Sequence, residues 1–196
     1  MTTVKTVIYT SAIVLTALIC ISCKDGTKKV AAVPMGNEMH HEDRNDMGNP
    51  ANNDARDSRT TAILDGYLSI KNALVADNTD EAAEAGGKLV AALDNFDVSA
   101  YSSSEQTQLK DIIVDAKEQA EHISESPMEH QREHLKTLST DVTDMVAIIG
   151  TDKKLYEQFC PMYENGSTWL SASNEVKNPY YGSKMVDCGK IQQEIN

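Results

Sequence analysis

The chain has 196 residues, with 30 acidic side chains against 18 basic ones and a formal charge of −12 at pH 7. So acidic a surface repels nucleic-acid phosphates, which excludes nucleic acid as an expected partner. The stretch from residue 60 to the end is long enough to own a hydrophobic core. Residues 1–22 carry a single positive residue, Lys5, and run apolar from Val7 to Ile21. That run is short for a membrane span, which needs about twenty apolar residues, and its charged start suits a secretory signal.

Two cysteines follow. Cys20 sits behind bulky Ile19, whereas Cys23 is preceded by Ile21-Ser22 and followed by Lys24-Asp25-Gly26. Ile-Ser-Cys resembles a lipobox, which implies that Cys23 is lipidated and becomes the first mature residue; an uncleaved N-terminal anchor is the alternative. Either outcome tethers an exported chain to a bacterial membrane, facing the periplasm or the exterior.

Residues 23–59 lack hydrophobic periodicity and are expected to form a disordered tether. Within it, Met35, Met39, His40, His41 and Met47 gather thioethers and imidazoles, a mixture that captures copper weakly; a solvated linker with incidental Met and His is the equal alternative. From Thr60 the pattern turns helical, with Leu64, Tyr67, Leu68, Leu74 and Val75 at three- and four-residue steps. Asn78-Thr79 opens a second helix carrying Ala82, Leu89, Val90 and Leu93, which Gly86-Gly87 either breaks or lets approach a neighbour. A third starts near Ser102 and carries Leu109, Ile112, Ile113, Ala116, Ala120 and Ile123. The fourth is expected to be capped by Ser126, with Pro127 in its first turn, a stripe from Leu135 to Ile149 and a stop at Gly150.

Short connections favour a mainly all-α fold, an antiparallel four-helix up-and-down bundle over residues 60–196. Residues 151–196 are expected to form an irregular cap with room for one short hairpin. Trp169, Tyr180 and Tyr181 are expected to pack it onto the helices.

The cap carries the densest chemistry. Cys160-Pro161-Met162 and Met185-Val186-Asp187-Cys188 each pair a thiol with a thioether, the ligand set that selects copper(I) over harder ions. Pro161 and Gly189 mark bends that would let the pairs face one ion. The series C-P-M, W-L-S, N-P-Y-x-G and M-x-x-C-G resembles an incompletely characterised family of bacterial exported proteins. It also resembles the C-terminal extension of heavy-metal efflux adaptor subunits of tripartite pumps. The resemblance implies metal handling rather than catalysis, with efflux components as partners. The competing reading of the same sulfurs is a Cys160–Cys188 disulfide, worth about 3–4 kcal/mol by loop entropy.

His130-Gln131-Arg132-Glu133-His134 places two imidazoles four apart on one helix face. The pattern coincides with the inverted zinc-peptidase signature, but no third ligand or acid is evident downstream, so no enzyme is expected. His134, beside buried Leu135, is the histidine placed to complete a copper site, with a solvated or hydrogen-bonded surface histidine as the commoner alternative; His122 is a weaker candidate. The sequence therefore predicts a lipoprotein that binds copper(I) through Cys160, Met162, Met185, Cys188 and His134, with no organic cofactor, for sequestration or delivery to efflux. The alternative is a disulfide-stapled helical interaction module of the envelope that binds no metal.

Overall fold

The computed structural model describes residues 50–195, with side chains from Ser58 onward. The leader, the lipidation candidate Cys23 and the Met/His segment lie outside the described residues. Four helices come first: α1 Pro50–Val75, α2 Thr79–Asp94, α3 Ser103–Glu125 and α4 Met128–Ile149. Three strands follow: β1 Leu155–Cys160, β2 Ser167–Ser171 and β3 Lys190–Ile195, with a 3-10 turn at Gly182–Lys184 between the last two. Among the described residues no helix is long and apolar enough to cross a membrane.

Local signals account for most helix ends. Asn78 caps α2 through its side chain, accepting the Glu81 N–H at 3.1 Å. Ser102 and Glu105 form a reciprocal capping box on α3. Gly150, at φ +74°, ends α4 in a conformation that glycine adopts without strain. Two ends depart from expectation. α1 begins at Pro50 rather than Thr60, with proline in the first turn, where its missing N–H costs nothing. Pro127, not Ser126, occupies the cap position of α4, and it supplies no side-chain hydrogen bond; Ser126 closes α3 instead.

Each helix packs on the one before it, and α4 also meets β2. Ile63, Leu64, Tyr67, Ile70 and Leu74 of α1 share one core with Leu89, Leu93, Leu109, Ile123, Leu135, Leu138 and Met145. Gly86 does not break α2. A Cβ there would sit 2.9 Å from the Ala120 carbonyl oxygen and 3.1 Å from the Ser124 nitrogen, so its bareness lets α2 and α3 touch.

The cap is more regular than expected. Its strands form an antiparallel sheet in the order β2-β1-β3, so the hairpin β1–β2 gains a third strand on its other side. Buried Trp169 and Tyr180 meet edge to face, with centroids 5.8 Å apart, and belong to the same core as the helices. Polar groups finish the seam. Tyr67 Oη and Ser139 Oγ lie 2.8 Å apart, the Leu170 N–H donates to Tyr67 Oη, and the Tyr180 hydroxyl donates to the Thr168 carbonyl at 2.5 Å. Burial pushes the Tyr67 phenol up to about 12, so it stays a neutral donor and acceptor.

Candidate metal centre

The turn at Ser126-Pro127 folds α4 back along α3. Gln131, fully buried, sets the register by donating to the Ile123 and Thr79 carbonyls at 3.0 and 3.1 Å. Residues equally distant from the turn then face one another. His122, from the end of α3, comes to lie against His130 and His134, one turn apart near the start of α4. One nitrogen from each ring falls within 4.8 Å of the others.

With the Gln119 amide oriented oxygen-first, the partners of these rings assign their protons. His130 Nδ1–H donates to Glu133 Oε2 at 2.7 Å, and His134 Nδ1–H donates to Gln119 Oε1 at 2.7 Å. A neutral imidazole protonated on Nδ1 carries a lone pair on Nε2. The two Nε2 atoms so defined point at each other 3.0 Å apart. Two lone pairs at that distance repel unless a cation lies between them, either a proton or a metal ion. Carboxylate or carbonyl oxygens behind Nδ1 are also the usual outer partners of metal-binding histidines.

His122 stacks flat on His134, with centroids 4.3 Å apart and planes 3° from parallel, while His130 stands edge-on to both. Stacked rings do not aim their nitrogens at one point, so His122 must turn about its outer torsion to join a shared ion. Its exposure leaves that motion open. Metal–nitrogen bonds of about 2.0–2.1 Å require ligand nitrogens a little over 3 Å apart, close to the 3.0 Å pair. Burial, then the neighbouring His122 and His130, hold the His134 pKa below its usual value, which keeps the ring neutral and able to coordinate at pH 7.

Between the two histidines of α4, one residue faces the other way. Arg132, buried, donates through Nε to the Pro179 carbonyl at 3.0 Å and through Nη2 to the Leu74 carbonyl at 3.0 Å and Asp77 Oδ1 at 2.5 Å. Hydrogen bonds from Ser183 and then Arg132 pull the Asp77 carboxyl down to about 2. The segment thus presents histidines to one side and ties the cap down on the other.

In the cap, Cys160 and Cys188, twenty-eight positions apart, have their sulfurs 2.6 Å from each other. Cys160 is fully buried and Cys188 half-buried. Contact with Cys160, then burial, raises the Cys188 thiol to about 11. Two thiolates on one ion, at about 2.3 Å from it, would bracket an angle near 70° at this spacing, far below tetrahedral or linear. The thioethers do not share that environment: Met162 is 60% and Met185 37% exposed. His134 contacts His122, His130 and Gln119, so the fold groups it with helical imidazoles instead of cap sulfurs.

The residues of the cap motifs have structural work. Asn178, fully buried, accepts the Tyr180 and Tyr181 N–H groups on Oδ1 and donates to the Cys188 carbonyl at 2.8 Å. Gly182, at φ +54°, leaves no room for a Cβ beside Asp77 and Arg132. A Cβ on Gly189, at φ +148°, would meet Trp169 and the Phe159 carbonyl at 2.9 Å. Of the three clustered histidines, His122 is the one the sequence marks least. The usable signal was symmetry: His122 and His130 lie four positions either side of Ser126, where the helices turn.

No curated protein and no solved structure matches the chain. Residues 63–154, which hold all three clustered histidines, match the model of a family described as proteins of unknown function, DUF3347.

Proposed function

We propose that this protein binds a transition-metal ion of the zinc–copper class through His130, His134 and His122, and holds it for sequestration or delivery. The single observation that carries this reading is the confrontation of two Nε2 lone pairs at 3.0 Å, with both Nδ1 protons already committed to Gln119 and Glu133. Imidazole suits zinc, copper and nickel, and copper(II) binds nitrogen sites tightest among the divalent ions of the series. The donor set therefore moves the expected ion away from copper(I). Glu133 already holds His130 Nδ1, the outer-partner role of a metal-binding histidine, which favours binding over hydrolysis.

The cap sulfurs belong to a second reading. A Cys160–Cys188 bridge suits their spacing better than a dithiolate ion site, and the four-sulfur copper(I) shell requires them to part and the thioethers to turn inward. The sequential helix contacts support the up-and-down bundle. Export and lipidation at Cys23, the collecting role of the Met/His segment, and the likeness to efflux adaptors rest on the sequence alone.

Titration of the metal-free full chain with zinc and with copper(II), against a chromogenic chelator, tests the reading. One tight equivalent is expected, weakened at least tenfold by His134→Ala and by His130→Ala. A turned Gln119 amide would restore an ordinary hydrogen bond between the rings. It predicts affinity unchanged by either substitution, and that result would sink the proposal.

A further inference from the structure

Lys71 of α1 is only 5% exposed, and among the described residues no hydrogen bond or ion pair engages its ammonium group. Burial alone lowers its pKa to about 8, with no carboxylate contributing. The ammonium nitrogen keeps some contact with solvent, yet a largely desolvated charge without a counter-charge is costly, and proteins resolve it by neutralising the group or by recruiting an ion. Beside Lys71 lies a cavity of about 200 Å³, walled by Leu68, Asn72, Ser171, Ala172 and Ser173.

The polar lining gives hydrogens. Ser171 Oγ accepts the Ser173 N–H at 3.1 Å, and Ser173 Oγ accepts the Glu175 N–H at 3.1 Å, so each hydroxyl hydrogen stays free to donate. Asn72 adds an amide NH2 group, and Lys71 adds three N–H donors. Leu68 and Ala172 supply the apolar remainder of the wall. A pocket offering an ammonium and neutral donors, with no acidic side chain in its lining, is complementary to a small anion even on a chain of charge −12.

We propose that the cavity between the C-terminal part of α1 and the end of β2 is a binding site for a small oxyanion, a carboxylate or phosphate group, with Lys71 as its charge partner and Ser171 and Ser173 as donors. The site uses none of the residues of the histidine cluster, so the two stand or fall separately.

The test follows thermal unfolding of the full chain at fixed pH and ionic strength while sodium phosphate, or sodium acetate, replaces chloride. A saturable rise of roughly 3–6 °C at tenfold excess over the dissociation constant is expected for the wild type. Lys71→Met should melt no lower than the wild type and lose the rise. A response to phosphate alone assigns a phosphate ligand, and one to acetate a carboxylate. Should the methionine variant not fold, calorimetric titration of the wild type and of Ser173→Ala replaces it, with binding about tenfold weaker in the variant expected. No saturable response to either anion, or equal responses with and without Lys71 or Ser173, overturns the site.

Discussion

The helical region and the C-terminal sheet are held together in opposite ways. The helices are specified locally, by caps, periodic apolar stripes and one bare glycine, and they bury their faces on immediate neighbours. The sheet depends on a few long-range ties: Tyr67–Ser139–Tyr180, Arg132 to Pro179, and Asn178 to Cys188. The lesson concerns where chemistry can be placed. The histidine cluster stands on two rigid, locally specified helices, whereas the sulfurs stand on a segment whose polar side chains are already occupied in holding it shut.

Cutting the strongest tie breaks the comparison hardest. Arg132→Ala strands the Leu74 and Pro179 carbonyls and Asp77, and should cost about 3–5 kcal/mol in denaturant unfolding. Loss of tryptophan fluorescence from Trp169 ahead of the helical signal would show the sheet detaching first. Next comes the thiol pair. If oxidised protein exceeds the Cys160→Ser, Cys188→Ser double variant by about 3 kcal/mol, the bridge stabilises the cap, and mass spectrometry should find two hydrogens missing. The double variant should keep its metal affinity.

Acid gives a smaller effect. Asp77 is held to about 2 in the folded chain against an ordinary value near 3.8, so its stabilisation is present above about pH 4 and fades as pH falls towards 2. With its side chain 37% exposed, solvent screening leaves about 1 kcal/mol, removed in Asp77→Asn. His134 works in the same direction at higher pH. Its folded pKa is depressed, so stability is complete above the unfolded value near 6.5 and declines below it. Of similar size is Ser102→Ala, which removes half a capping box for about 1 kcal/mol and should leave the sheet and the histidine cluster untouched.

The contrast also explains what was legible. Leu64, Tyr67, Leu89, Leu109, Leu135 and Leu138 follow from helical spacing because each helix buries one stripe. Lys71 breaks that pattern, since nothing in the spacing marks a lysine for burial. The sheet was hidden because its strands do not alternate cleanly: β2 buries Trp169, Leu170 and Ser171 in succession, while β3 is almost wholly exposed. Their pairing is set by partners far along the chain. Cys160 and Cys188 could be nominated as a pair, but their spacing and unequal burial could not. His134 could be nominated as a candidate ligand, yet its companions depend on the register of the α3–α4 turn, which Gln131 fixes through a buried contact that no local motif announces.

X-ray absorption at the metal edge of the loaded full chain tests the central claim most directly. The account predicts nitrogen neighbours at about 2.0–2.1 Å with imidazole scattering, lost together with the bound metal in a His122→Ala, His130→Ala, His134→Ala variant. Sulfur neighbours at about 2.3 Å, retained in that variant, would contradict it.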